Sequence, residues 1–452
     1  MEVSRSFIVQ SSVFIILLSL IFKYFSTNIS SWKEIKDFPP IISPLAYQLL
    51  MSIIFLISIS LSFNPPTTKI HFFILYTLAF LQILIPMLYN SKYHCTLQAA
   101  SSVFNFAIAC KLLLWLKKYH SPDTQESEFN SFFSTLFIWR PDPLKIDKSE
   151  KKYIDQITIN DYFVNQGKRF AITTFKFLVF EFILAWAETY KPIIPDRIYL
   201  FRVIDYFLTG KPFITPFYLF YNYVLAVNIY IFISLAYDIF VLSFGLLLPL
   251  LQIIQSSQYS VNKISKSRYQ AILSSKIQEV KEWLILLLFH TKVPMNFPFI
   301  STSPRDFWSK RWHIVLREIF LDLGYVPVKN LFGKHKKIGN IFGILSAFFV
   351  SGLLHEYIVY CMWGNSPGEQ MLFFLFHGLL LILWEVAEGL LVGNGIAINE
   401  VKDSWGIWLF KLILFNTIAI FGIPSFFEPY LREDSFVCMI QVGLFHNKIG
   451  LS

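Results

Sequence analysis

The stretch Gly339-Asn-Ile-Phe-Gly-Ile-Leu-Ser-Ala-Phe-Phe-Val-Ser-Gly-Leu-Leu-His355-Glu-Tyr-Ile-Val-Tyr-Cys-Met362 decides what kind of protein this chain is. Crossing a bilayer by helix takes about 20 predominantly apolar residues, and this run supplies them with one imidazole and one carboxylate inside. Comparable runs recur at 7–24, 42–63, 70–88, 95–116, 170–188, 215–237, 239–254, 371–393 and 407–424. Irregular backbone cannot face lipid, and the runs lack the alternation of a membrane barrel, so they predict helices. The fold class expected is all-α: a polytopic transmembrane helical bundle with about nine crossings plus interfacial or re-entrant helices.

Composition agrees. The chain is 55% hydrophobic and 15% charged, where a water-soluble domain carries about a quarter charged residues. Its 49 phenylalanines suit a surface that faces lipid. The net charge of +9 is gathered in loops between apolar runs, which makes it a topology signal and not a nucleic-acid footprint. Cys95, Cys110, Cys361 and Cys438 form no C-x-x-C pair, so neither zinc nor a disulfide framework is expected. The first run, starting near Phe7, has no cleavage pattern after it and reads as a retained membrane helix.

Two long polar stretches divide the series. Residues 117–169 hold nine Lys and Arg, and residues 256–338 hold fourteen. The positive-inside rule puts both in the cytosol. Three apolar runs between them cannot return the chain to one side, so 239–254, which follows Asp238, is expected to be re-entrant or interfacial. The amino terminus is then cytosolic, and the sequon Asn28-Ile29-Ser30 is lumenal. The organisation expected is helices over 1–116, a loop over 117–169, helices over 170–255, a loop with interfacial helices over 256–338, helices over 339–424 and a tail over 425–452. Within the second loop, Trp283–Phe289 is too short to span, and the aromatics and cations of 305–320 suit one amphipathic helix at headgroup level.

Ionisable groups inside a bilayer cost several kcal/mol on most scales, so each asks for a reason. A neutral imidazole takes a proton from an alcohol near pH 7 far more readily than a carboxylate or an ammonium does. His355 is therefore either a general base or a structural interhelical hydrogen bonder. Ser351 and Gly352, one turn back, let a substrate or another helix come close. His377 and Glu388, close to three helical turns apart, line a polar passage or form a satisfied interhelical pair. Lys111, Lys176 and Glu181 lie near span ends, where snorkelling accounts for charge. No G-x-S-x-G, H-E-x-x-H or phosphate-binding loop occurs.

Asp306-Phe-Trp-Ser-Lys-Arg-Trp-His313, followed by Ser351-Gly-Leu-Leu-His355-Glu356, resembles the membrane-bound O-acyltransferase (MBOAT) superfamily, and within it the wax-synthase-like branch. The likeness runs over roughly residues 280–395. It implies transfer of an acyl or acetyl group from acyl-coenzyme A to the hydroxyl of a lipophilic acceptor, in a multi-pass protein of the endoplasmic reticulum membrane. By motif match His355 is the general base and His313 a second catalytic residue, at a position where relatives often carry Asn. Trp308, Trp312, Lys310, Arg311 and Ser351 are the implied substrate-binding residues, with Lys334 a further candidate for the coenzyme's phosphates. The helix holding His313 is expected to sit against the helix holding His355. Acyl-coenzyme A is a co-substrate; no cofactor, metal or nucleic acid is implied, and membrane lipids are the surroundings. A reading from another class is a transporter or channel with a polar path through His355, His377 and Glu388.

Overall fold

A computed structural model of the chain describes residues 41–93, 95–120, 159–245, 293–393 and 405–433, together with the single residues 132, 247, 277, 280, 284 and 288. The run 7–24, the sequon at Asn28, most of both polar loops and the end of the tail lie outside the described residues. The long helices are α1 (Pro44–Leu61), α2 (Lys69–Leu88), α3 (Cys95–His120), α4 (Ile159–Thr189), α5 (Tyr199–Thr209), α6 (Pro216–Gly245), α7 (Lys336–Trp363), α8 (Glu369–Gly393) and α9 (Trp405–Arg432). All but α5 are long and apolar enough to cross a membrane, eight helices in all among the described residues. The protein is an all-α polytopic membrane protein.

Two expected boundaries move and one element is new. Helix α6 runs unbroken from Pro216 through Asp238 to Gly245, so the break placed between 215–237 and 239–254 is overturned. At 1.5 Å per residue such a helix is about 45 Å long, enough to cross with length to spare. The first part of the run 239–254 thus belongs to α6, and its remainder lies outside the described residues except for Leu247. Helix α9 continues to Arg432 with Pro424 and Pro429 inside it, past the boundary expected at 424. Helix α5 was not foreseen as a separate element.

The chain forms two compact units. The first holds α1, α2, α3 and the end of α7 with residues 353–367. Ser43 caps α1 by accepting from the Ala46 N–H at 3.2 Å, with Pro44 pre-set for the first turn. Thr68 caps α2 in the same way through the His71 N–H at 3.2 Å. Polar side chains then bond across the apolar interior: Gln82 donates to Ser58 at 3.2 Å, and the Tyr357 hydroxyl donates to the Ile83 carbonyl at 2.9 Å. The thiols of Cys110 and Cys361 are free and buried.

The second unit holds α4, α5, α6, the 293–335 segment, the start of α7, α8 and α9. Helices α4 and α6 are antiparallel, and their polar pairs fix the register. Tyr221 donates to the Ala187 carbonyl at 2.9 Å at one end, and Asp238 meets Arg169 at 3.1 Å and Lys176 at 2.5 Å at the other. Lys176 is thus ion-paired, not snorkelling. Helices α8 and α9 are antiparallel too, with Arg432 bonded to Glu369 at one end and Lys411 3.6 Å from Glu388 at the other. Helix α5 reverses the usual amphipathic arrangement: Arg202 is buried against Glu428 of α9, while Phe207 is 81% exposed. An outward apolar face around an inward ion pair is stable only when the surroundings are lipid.

Candidate active site

Residues 294–331 build the first part of the site. Ser303 accepts from the Asp306 N–H at 3.1 Å, and Pro304 opens a single helical turn. The backbone then widens into a π-turn over Phe307–Arg311, closed by the Trp312 N–H donating to the Phe307 carbonyl at 2.8 Å. Asp306 and Arg311, five apart, are ion-paired across that turn at 2.7 Å. The chain next leaves the helix. His313 has φ +47°, in the left-handed region, and the Ile314 N–H donates to the Pro294 carbonyl at 3.0 Å. Helical stretches resume as Arg317–Phe320, Leu321–Tyr325 and Val326–Leu331. The single amphipathic helix expected over 305–320 is therefore corrected: His313 stands at a break between two helical pieces, held by the strand-like pairing of 294–296 with 311–314.

The segment is docked on three membrane helices by aromatic contacts. The Trp308 ring stands edge-on to Phe348 of α7 at 5.4 Å between centroids, and to His377 of α8 at 5.4 Å. Phe307 stacks on Trp312 at 5.2 Å and meets Phe415 of α9 at 5.8 Å. Arg305 is ion-paired with Glu385 of α8 at 2.5 Å. Downstream, Gly324, Gly339 and Gly343 let the 317–331 stretch lie on the backbone of α7. A Cβ at Gly324 would come 2.9 Å from the Ala347 Cα, and one at Gly343 would come 2.8 Å from the Tyr325 ring. The small-residue stripe Gly339, Gly343, Ala347, Ser351 on α7, spaced by four, was the sequence signal for this packing and was not read as one.

The expected site residues fall as follows. Trp308, Trp312, His313, Arg311 and Lys310 are together on the 307–313 turn, and Ser351, 7% exposed, is on α7 in the same unit. His355 lies four residues beyond Ser351 on α7, in the first unit, and keeps part of its surface accessible. Its neighbour Glu356 accepts a hydrogen bond from Ser366. Arg311 is engaged by Asp306 and by the Asn296 carbonyl at 3.3 Å. Its guanidinium is spent on holding the turn, which argues against a phosphate there. Lys310 and Lys334 are exposed. Gly352 admits Met371 of α8, whose sulfur would lie 2.7 Å from an added Cβ. Of the two openings its small size allowed, a neighbouring helix takes this one. His313 keeps some accessible surface, yet burial of the ring pushes its imidazole down to about 4, so it is neutral at pH 7. His377 bonds to its own helix and Glu388 faces Lys411, so the two do not share a polar path.

Residues 294–376, which contain both His313 and His355, match the sequence profile of the Membrane bound O-acyl transferase family. Within Arabidopsis thaliana, the chain is similar to Probable long-chain-alcohol O-fatty-acyltransferase 1, 37% identical over 89 residues, which is 18% of this chain and 25% of that protein. Probable long-chain-alcohol O-fatty-acyltransferase 2 is 36% identical over 93 residues, 20% of this chain and 26% of that protein. Probable long-chain-alcohol O-fatty-acyltransferase 7 is 25% identical over 140 residues, 30% and 39% respectively. The chain thus spans between a quarter and two fifths of the length of these relatives. Over that length the likeness to the wax-synthase-like branch, read first from the two motifs, is borne out.

Proposed function

We propose that this chain, alike over residues 294–376 to the membrane bound O-acyl transferases, is an integral-membrane enzyme that transfers an acyl group from acyl-coenzyme A to the hydroxyl of a lipophilic acceptor. A long-chain alcohol is the acceptor class that the relatives' names favour; a terpenoid hydroxyl has the same chemistry. The observation that carries this reading is His355. It is a partly accessible imidazole far inside a membrane-spanning helix, on the face that two turns earlier presents Phe348 to Trp308 of the other motif.

In the proposed step His355 takes the proton of the acceptor hydroxyl as its oxygen attacks the thioester carbonyl. The tetrahedral oxyanion collapses, the carbon–sulfur bond breaks, and the departing thiolate takes the proton from His355, leaving ester and free coenzyme A. By motif match His313 is the second catalytic residue of this reading, at a position where relatives often carry Asn. Exclusion of water from the reacting groups favours the alcohol over hydrolysis. The exposed Lys310, Lys334, Lys336 and Lys337 supply cations for the coenzyme's phosphates. The reading places the protein in the endoplasmic reticulum membrane, with those lysines cytosolic.

Membranes containing the protein, supplied with labelled acyl-coenzyme A and a long-chain alcohol, test it. Wild type is expected to form labelled ester, and His355→Ala to lower that rate by a hundredfold or more at equal abundance, since general-base catalysis contributes about 10²–10⁴-fold. Unchanged ester formation in His355→Ala overturns the assignment of the base.

A further inference from the structure

His377 is 4% exposed in the middle of α8, and its Nδ1 lies 2.9 Å from the Phe373 carbonyl. A carbonyl only accepts, so in the neutral ring Nδ1 carries the hydrogen and Nε2 carries the lone pair. Among the described residues no donor reaches that nitrogen. A Cβ at Gly422 of α9 would come 3.6 Å from Nε2, so the glycine puts no side chain of its own against the basic edge of the ring. Trp308 walls the imidazole at 5.4 Å, and its own indole N–H is buried with no acceptor among the described residues. Phe373 and Phe376 complete an apolar surround at 4.2 and 5.5 Å.

The lone pair of His377 and the buried Trp308 N–H, neither with a partner among the described residues, belong to rings whose centroids are 5.4 Å apart among aromatic neighbours. A buried N–H such as that of Trp308 is rarely left without an acceptor. One kind of ligand answers both at once. A carbonyl or thioester oxygen accepts only, and an ammonium donates only, whereas a hydroxyl donates to Nε2 while accepting from Nε1–H. We propose that His377, Trp308 and Gly422 form a receiving subsite that holds a lipophilic alcohol by its hydroxyl, ahead of the transfer step at His355. The inference rests on the acyltransferase reading for the alcohol's fate, but the binding itself does not require turnover.

Three variants separate the contributions: Trp308→Phe keeps an aromatic ring and removes the N–H, His377→Phe removes the lone pair, and Gly422→Val fills the space beside Nε2. Each is expected to raise the KM for a long-chain alcohol about tenfold, the effect of one lost hydrogen bond or of blocked entry. The KM for acyl-coenzyme A should move less than twofold, and kcat at saturating alcohol less than threefold. In parallel, a hexadecanol carrying a diazirine beside its hydroxyl should label α8 or α9 next to His377 in the wild-type protein without any acyl donor. Gly422→Val should lose that label. If ester forms normally while alcohol KM and labelling stay at wild-type values in variants that melt at lower temperature, the cage holds only water or itself and the subsite is overturned. If labelling occurs as expected but no ester forms from any donor, the subsite stands and the acyltransferase reading fails.

Discussion

Trp308 meets Phe348 edge to face at 5.4 Å between ring centroids, and Phe348 lies two helical turns before His355 on one face of α7. Forty residues of chain separate the two rings, and their contact docks the Trp-containing turn on the part of α7 before Leu353. Phe348 is 8% exposed and also packs with Phe373, Phe374 and Leu381. Phe348→Ala should therefore cost about 3–4 kcal/mol through a buried cavity. Thermal melting in detergent checks the loss, and Phe348→Leu should recover more than half of it.

The close approach at Gly324 and Gly343 gives a second expectation. Their added Cβ atoms would meet backbone or a tightly placed ring below 3.0 Å, so the 317–331 stretch must move away from α7 to make room. Gly324→Val and Gly343→Leu should each destabilise by about 1–3 kcal/mol. The same substitution at Gly389, where nothing lies within 4 Å, should be nearly neutral on the protein side. Equal melting temperatures for Gly343→Leu and Gly389→Leu would contradict the packing described.

Arg202, Glu428, Tyr218, Arg432 and Glu369 form one buried network joining α5, α6, α8 and α9. Tyr218 donates to Glu428 at 2.7 Å, and Arg432 lies 3.0 Å from its other oxygen. Removing one cation leaves a 0% exposed carboxylate short of a partner. Arg202→Met should cost about 3 kcal/mol, and the double change Arg202→Met with Glu428→Gln should cost less than that single change. A double-mutant cycle by thermal melting gives the coupling directly.

Burial holds the His313 imidazole at about 4, below its ordinary value near 6.5. Between those values the unfolded chain binds a proton that the fold refuses, so this group's contribution to stability is intact above about 6.5 and falls as the pH drops towards 4. His313→Asn should lose less melting temperature than wild type between pH 7 and pH 5. Because His313 stays neutral throughout that range, the acid limb of ester formation should keep its midpoint in His313→Asn. A midpoint that shifts with this substitution would show that His313 titrates in that range and would contradict its buried, neutral state.

The amino-acid sequence by itself determined the membrane class, most of the described spans, both motif segments and the likeness to a family, because each depends on short windows. Twenty apolar residues, a proline at a helix start or an imidazole in a greasy run all declare themselves locally. The stripe Gly339, Gly343, Ala347, Ser351 was equally legible, though only the structure says what lies on it. Other features depend on which distant residue arrives opposite. The stretch after Asp238 was set apart only to satisfy loop parity, and Asp238 is an ordinary helical residue that Arg169 and Lys176 reach from α4. Arg311 read as a cation for a phosphate until a π-turn, which local propensity does not announce, brought Asp306 to it five residues away. The left-handed bend at His313, the use of Gly352 by Met371, and the clear edge of His377 opposite Gly422 were likewise decided by tertiary contacts. A local pattern states what a side chain needs, and only the packed structure states what meets that need.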